Sequence, residues 1–366
     1  MRFGPSDDQA ALRDALRGLL AEHAGAARTA YEGGETRLWH RMVHELGLTA
    51  VGVPEEYGGT GANFADVAVV QEELGRALAP VPFFSSAVLA ARILLESGDA
   101  GAWLPAMARG EVVATAALVE AAGDWSFAAP ATTARRQADG WVLDGEKHFV
   151  TDAVAADVLL VLAAAPEGPT LFAVRDAERV PRDAFDATRP LATVVLRAAP
   201  GVPVGSPGGA LPVLDRALRA AAVGLAREQA GGTARCLDMA VAHATVREQF
   251  GRPIGSFQAV KHLLADVLVD HESAAAAAAY ASWAVDHAPA EVPALASVCK
   301  SACSEAYAAA AKANVQVHGG IGFTWEHDAH LHLRRAVATR VLLGDPDAHR
   351  ERIAGLVLDS RRGDPR

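Results

Sequence analysis

Cysteine and aromatic residues are scarce in this chain of 366 residues, which holds 3 cysteines and 6% aromatics. Three cysteines are too few for a disulfide framework, and their spacing lacks the paired CxxC pattern of a zinc site. Cys299 and Cys303 lie four residues apart on one face of an expected helix, where two small buried hydrophobes explain them. We therefore expect a reducing compartment.

Positive charge is also in deficit, since the formal net charge is −10 and the pI is near 5.7. Nothing therefore draws the chain to nucleic acid or to an anionic membrane. The longest uncharged helical stretch, residues 273–285, is alanine-rich and shorter than the roughly 20 apolar residues of a membrane span. The first residues carry no secretory signal pattern. The sequence thus predicts a soluble cytoplasmic protein without a membrane span.

Common hydrolytic motifs are missing. Without HExxH, GxSxG or a P-loop, zinc proteolysis, serine hydrolysis and NTP hydrolysis have no support. His327, Asp328, His330 and His332 are residue types that bind metals. On a helix, however, His327 and His330 share a face while His332 points away, so surface or interface roles explain them and we expect no metal.

Helical periodicity dominates both ends of the chain, and β-type segments occupy the middle from about residue 112 to 196. Long helices are predicted at about 214–245, 257–287, 293–318 and 328–343, followed by a short tail. In the middle, Asp139-Gly140 and Asp144-Gly145 flank a short strand and predict tight turns. The predicted fold class is α+β multidomain: a helical domain at 1–110, a β-barrel at 111–208 and a four-helix bundle at 209–366.

Two C-terminal segments carry groups suited to a dinucleotide. Residues 247–258 present a guanidinium, two amides and an aromatic ring together, which suit a pyrophosphate and an adenylate. These residues are Arg247, Gln249, Phe250 and Gln258. Gln316 is followed by Gly319 and Gly320, glycines that let backbone N–H groups approach a phosphate or a flavin edge, although they also suit a helix C-cap.

Together with the loop at 54–61 and the segment Gly-Glu-Lys-His-Phe-Val-Thr at 145–151, these motifs resemble the acyl-CoA dehydrogenase family over nearly the whole chain. The resemblance implies FAD as cofactor, bound across a dimer interface. It implies that one subunit's barrel holds the flavin ring, beside Phe149 and Thr151, and that the neighbour's bundle holds the adenylate end. It also implies an acyl-CoA substrate, with electron-transfer flavoprotein as electron acceptor.

The glutamate that removes the substrate α-proton in this family is missing here. Aligning the motif at Gln316 without gaps places Leu343 at the usual base position, and the alternative position on the first bundle helix falls on Ala221. Asp345, two residues beyond Leu343, is a weak substitute because the shift would misplace its carboxylate. Glu228 lies about two turns from Ala221, where a solvated or interface role explains it.

The loop that touches the flavin pyrimidine in the family is also altered. At 119–126 this chain reads Val-Glu-Ala-Ala-Gly-Asp-Trp-Ser, so the family's threonine is gone and Trp125 stands where a small donor belongs. Phe149 and Thr151 match the family, although a strand aromatic and a turn threonine explain them equally well.

The residues for a neighbour's FAD are thus intact, while those for the chain's own active site are damaged. This asymmetry, with the wording of residues 317–327, resembles the non-catalytic subunits of actinobacterial α2β2 acyl-CoA dehydrogenases, several of which act on steroid side-chain CoA thioesters. We therefore expect a homologous partner subunit that carries the glutamate. The alternatives are a flavin oxidase or monooxygenase, a flavin-free structural subunit, and a self-sufficient homotetramer that uses Asp345.

Overall fold

The structure is a computed structural model that describes residues 6–34, 37–125, 127–138 and 140–362. The chain forms two compact units. The first, which we call the helical unit, comprises the described parts of Met1–Gly34, Ala68–Ala79 and Ala222–Arg366. The second, the sheet unit, comprises those of Glu35–Val67 and Pro80–Ala221.

The helical unit is built from helices, the first of which begins at a side-chain cap. Helix α1 (Asp7–Glu22) starts with a capping box, in which Ser6 and Gln9 bond each other's backbone N–H groups. The remaining helices wholly within the unit are α2 (Ala26–Tyr31), α8 (Gln258–His287), α9 (Val292–His318), α10 (Ala329–Val341) and α11 (Pro346–Arg362). Helices α4 (Phe64–Ala77) and α7 (Ala210–Val246) run through both units.

Two glycines let α4 and α7 cross in backbone contact inside the helical unit. A Cβ added at Gly75 would clash with the backbone of Glu228, and one at Gly231 would clash with the backbone of Glu72. Each helix therefore places a glycine against a backbone carbonyl of the other. A larger residue at either glycine would prevent this close approach.

The sheet unit contains seven strands and several short helices, among them α3 (Leu38–His44), α5 (Ala91–Ser97) and α6 (Leu104–Ala108). The strands are β1 (Ala114–Ala117), β2 (Thr133–Gln137), β3 (Gly140–Thr151), β4 (Val158–Ala165), β5 (Gly168–Val174), β6 (Glu178–Arg182) and β7 (Leu191–Val204). The pairings β4–β2, β2–β3, β3–β7, β7–β5 and β5–β4 return to their start, so five strands close into a barrel. Its core holds Leu143, Leu159, Val161, Phe172 and Val194.

The predicted order of helices, sheet and helices is confirmed, whereas the boundaries at 110 and 208 stay a prediction. The turn expected at Asp144-Gly145 is wrong: β3 continues through it with a shift in register, because Gly145 accommodates Thr132 where a Cβ would clash. The turn expected at Asp139-Gly140 involves Asp139, which lies outside the described residues. The expected short tail is helix α11, since Asp345 and Pro346 provide a helix start.

Within the described ranges, none of the helices combines the length and the apolar character needed to cross a membrane.

The glycine crossing is directly testable. Gly231→Ala should destabilise the chain by about 1–3 kcal/mol, because its Cβ must push α4 away from α7. Gly18→Ala in α1 is the matched control, since its Cβ meets nothing within 4 Å and alanine favours a helix. Urea unfolding followed by circular dichroism measures both, and equal midpoints for the two variants would contradict the crossing.

Candidate functional site

The segment after α7 forms a small hairpin that displays an aromatic ring. Strands β8 (Glu248–Gln249) and β9 (Arg252–Pro253) pair, and the turn between them holds Phe250 and Gly251 at φ values of 55° and 77°. Two successive left-handed residues are typical of a tight hairpin turn. Phe250 is 92% exposed as a result.

The hairpin is anchored against the end of α9 by a small apolar cluster. Ala244 and Val317 are buried together, and Ile254 and Val260 pack on them. The Ile254 N–H donates to the Arg247 carbonyl at 2.8 Å, which fixes the base of the hairpin. The structure thus brings the two predicted cofactor motifs together within the helical unit.

The predicted cofactor residues of this unit share one property, exposure to solvent. They are Arg247, Gln249, Phe250, Gln258, Gln316, Gly319 and Gly320. Among the described residues no carboxylate pairs with the Arg247 guanidinium, and a Cβ at Gly319 or Gly320 would meet no atom within 4 Å. We call this set the adenylate surface. A free guanidinium, three amides, an aromatic ring and open glycines fit a dinucleotide with its pyrophosphate.

In the sheet unit, Phe149 and Thr151 lie at the end of β3. Phe149 has a φ of 54° and is 42% exposed, with the Arg182 guanidinium 5.4 Å from its ring centre. Thr151 is buried, and its carbonyl accepts a bond from the Thr115 hydroxyl at 2.7 Å. The left-handed conformation, which is uncommon in a bulky residue, turns Phe149 partly to solvent.

A buried ion pair that the sequence reasoning missed supports the altered loop. The fully buried Lys147 ammonium donates to the Glu120 carboxylate at 2.8 Å and to the Leu118 carbonyl at 3.3 Å. The same carboxylate accepts bonds from the N–H groups of Ala131 and Thr132, both at 2.8 Å. The available signal was the rarity of lysine, since Lys147 is one of four lysines in the chain.

Burial and pairing act differently on the pKa values of the two residues. Burial alone would raise the pKa of Glu120, yet the bonds from Lys147 and the two backbone N–H groups lower it to about 2. Burial lowers the pKa of Lys147, against the pull of Glu120. Glu120 is therefore a charged anchor at neutral pH and not a proton acceptor.

Beyond Glu120 the altered loop packs around aromatic rings. Gly123 is left-handed, with a φ of 75°, and its Cβ would lie 3.6 Å from the Phe149 ring. Trp125 is half-buried and meets Phe127 edge to face, with ring centres 6.1 Å apart. The last residue of the predicted loop, Ser126, lies outside the described residues.

The three expected base positions offer no free carboxylate. Ala221 and Leu343 are buried apolar residues. The Asp345 carboxylate accepts the N–H of Ala348 at 2.8 Å, which makes it the N-cap of α11. Glu228, on α7, is buried and paired with the buried Arg335 at 2.7 Å.

Two buried basic side chains, those of Lys300 and His349, contact the backbone of the turn at Leu343. The Lys300 ammonium donates to the carbonyls of Thr339, Arg340 and Gly344 at 3.1–3.3 Å and to the Ser304 hydroxyl at 2.8 Å. Burial lowers the pKa of Lys300 to about 7. His349 Nε2 lies 3.2 Å from the Leu343 carbonyl, and burial together with Lys300 lowers its pKa to about 4.

The cysteines and the histidine cluster are structural where they are described. Cys236, Cys299 and Cys303 are free and buried, and burial raises the pKa of each thiol. His332 Nδ1 lies 3.0 Å from the Tyr307 hydroxyl. Within the ranges that the structure describes, no three His, Cys, Asp or Glu side chains are placed to hold a metal ion.

Removing the buried ammonium tests the anchor. Lys147→Met should destabilise the chain by about 3–5 kcal/mol, because the Glu120 carboxylate stays charged without its partner. In the wild type the contribution of Glu120 is complete above pH 4.5 and is lost as the pH falls toward 2.

Urea unfolding at neutral pH measures the loss. The control is Lys261→Met, at an exposed lysine of α8, and the double variant Lys147→Met with Glu120→Gln should recover part of the stability. An unchanged midpoint for Lys147→Met would contradict the anchor.

Comparison with known proteins places the chain in a family. The acyl-CoA dehydrogenase N-terminal domain matches residues 6–111, and the acyl-CoA dehydrogenase C-terminal domain matches residues 211–358. The acyl-CoA dehydrogenase IpdE2 of Mycobacterium tuberculosis is 33% identical over 361 residues, covering 97% of this chain and 99% of the relative.

Two solved structures extend the likeness to nearly every residue. A steroid acyl-CoA dehydrogenase variant, Tcur3481–Tcur3483, has a TM-score of 0.87 at 30% identity and covers 98% of this chain and 99% of that chain. The ChsE4–ChsE5 complex of Mycobacterium tuberculosis has a TM-score of 0.87 at 25% identity and covers 100% of both chains. The resemblance drawn from the motifs is thereby confirmed, and this chain belongs to the acyl-CoA dehydrogenase family, whose members bind FAD.

Proposed function

We propose that this chain is the non-catalytic subunit of a heteromeric FAD-dependent acyl-CoA dehydrogenase and completes the FAD site of a homologous, glutamate-bearing partner. One observation carries the proposal. The adenylate surface is intact and exposed, whereas Leu343 and Ala221 replace the base and Asp345 is committed to a helix cap.

The residues of the adenylate surface divide the work of binding. Arg247 would meet the pyrophosphate, Gln249, Gln258 and Gln316 would donate to phosphate or adenylate oxygens, and Phe250 would pack on the adenine. Gly319 and Gly320 leave room for backbone N–H groups beside the phosphates. When bound, FAD supplies a hydride acceptor for the β-carbon of the acyl group.

The missing base explains why a partner is needed. The α-proton of a thioester is weakly acidic, so its removal needs a carboxylate held in a dry site beside the substrate. The aliphatic side chain of Leu343 accepts no proton, and Glu228 is neutralised by Arg335. This chain therefore binds and orients FAD, and a carboxylate of the partner removes the proton.

The relatives support the proposed substrate and partner. A steroid acyl-CoA dehydrogenase and a two-component complex, ChsE4–ChsE5, both match this chain end to end. For this chain we propose a steroid side-chain CoA thioester as substrate, an α2β2 assembly, and electron-transfer flavoprotein as electron acceptor.

Co-expression tests the proposal. The chain alone should purify without flavin absorbance and without acyl-CoA oxidation, whereas co-expression with a homologous subunit encoded beside it should give a yellow complex that oxidises acyl-CoA. Full flavin occupancy and turnover by the isolated chain would overturn the proposal. Oxygen consumption without a partner would favour an oxidase, and a colourless complex would favour a structural subunit.

Arg247→Ala should release FAD from the complex, because the pyrophosphate loses a charge-assisted contact of about 1.5–3 kcal/mol, a tenfold or greater fall in affinity. Flavin fluorescence after gel filtration measures the release. Arg219→Ala is the control, since this α7 arginine pairs with Asp215. Equal flavin retention by the two variants would argue against the assignment of Arg247.

A further inference from the structure

Three histidine rings lie in a row beside the adenylate surface. His243, in the last turn of α7, has its ring centre 4.3 Å from that of His318, the last residue of α9. His318 in turn lies 4.1 Å from His327, just before α10. The row joins the two elements that carry Arg247 and Gly319. We call these residues the histidine row.

The hydrogen bonds of the row specify a neutral ring at one end. The Ala329 N–H, at the start of α10, donates to His327 Nδ1 at 3.1 Å. An imidazolium has a hydrogen on both nitrogens and accepts no bond, so this contact needs neutral His327. In the middle, His318 Nδ1 donates to the Asn314 carbonyl at 2.8 Å, and the ring is buried.

The charged groups around the row also disfavour protonation. Burial, His318 and Arg247 lower the pKa of His243. Burial lowers the pKa of His327 most, and His318, His243 and Arg28 lower it further, against an opposing effect of Asp328. Arg28 of α2 also pairs with Asp328 at 2.6 Å, which draws that carboxylate's charge away from the ring. Three imidazoles therefore face two guanidiniums and one shared carboxylate.

We propose that the histidine row positions the adenylate surface, with His318 as the positioning residue. Protonation of His243 or His327 then separates the ends of α7 and α9. This inference rests on the proposed function for the identity of the ligand. In the neutral row, the tilted rings of His243 and His318 hold the end of α7, next to Arg247, against the end of α9, next to Gly319. A proton on His243 places a positive charge beside Arg247, and one on His327 places a positive charge beside Arg28 and removes the first N–H bond of α10.

The direction of the pH dependence follows from the lowered pKa values. The folded chain prefers neutral His243 and His327, whereas the unfolded chain takes up protons near the ordinary pKa of 6.5. The contribution of the row to stability is therefore complete above pH 6.5 and falls as the pH falls below it. FAD retention should fall at lower pH, where the folded chain takes up protons at the lowered pKa values of His243 and His327.

The experiment compares the wild type with the double variant His318→Phe and His327→Asn, each in the co-expressed complex. Phenylalanine keeps a flat ring between its neighbours without a proton to gain, and the asparagine oxygen keeps an acceptor for Ala329. His44→Phe is the matched control, at an exposed histidine of α3 whose ring is tilted against that of His40, with ring centres 4.4 Å apart.

Flavin retention after gel filtration and the thermal unfolding of the full chain without flavin are measured from about pH 7.5 to about pH 4.5. In the wild type and the His44→Phe control, FAD affinity should fall about tenfold or more across this range, and the unfolding temperature should fall with it. In the double variant both dependences should shrink, to about threefold or less in affinity, because only His243 of the row can still take up a proton.

Two results would overturn the proposal. One is a double variant that keeps the wild-type pH dependence of both measurements. The other is a double variant that loses the pH dependence of unfolding and keeps that of FAD retention, since the row is then structural without positioning the surface. If the complex holds no FAD at any pH, the proposed function fails on its own, while the unfolding of the flavin-free chain still decides whether the row responds to protons.

Discussion

A buried carboxylate must be matched by a cation or by N–H donors, and this constraint decides which acidic side chains are free for chemistry. Glu120 is held by Lys147 and two backbone N–H groups, and Glu228 is held by Arg335. The less buried Asp345 is held by the first turn of α11. Each carboxylate that sequence alignment brings near the reaction is therefore committed to structure.

The turn at Leu343 keeps its form because backbone groups hold it. Lys300 satisfies carbonyls at the end of α10, where the helix dipole favours a cation, and His349 approaches the next carbonyl. Leu343 adopts a left-handed φ of 64° without any polar role for its side chain. The turn can thus lose an acidic side chain at this position while the fold around it persists, since none of these contacts uses that side chain.

Periodic and local features of this protein could be predicted from sequence, and pairings between distant residues could not. Apolar spacing predicted the long helices to within a few residues, whereas the cofactor role of residues 247–258 and 316–320 stays a prediction. The Glu120–Lys147 pair joins residues 27 apart and leaves no periodic trace. The turn predicted at Asp144-Gly145 failed because the glycine serves close packing against Thr132. Helix α11 was predicted as a short tail because Asp345-Pro346 indicates a break after the preceding helix.

Exposed apolar side chains on the helical unit, like the missing base, favour association with a partner chain. Phe250, Phe323 and Trp325 are 92%, 76% and 56% exposed, and Val246 is 75% exposed. Large apolar groups gathered near polar cofactor residues are typical of association surfaces, because water is a poor environment for them. Cofactor and partner would cover this surface together. Under the proposed function, the missing base and the uncovered surface are two consequences of one arrangement, in which binding residues lie on this chain and the proton acceptor on its partner.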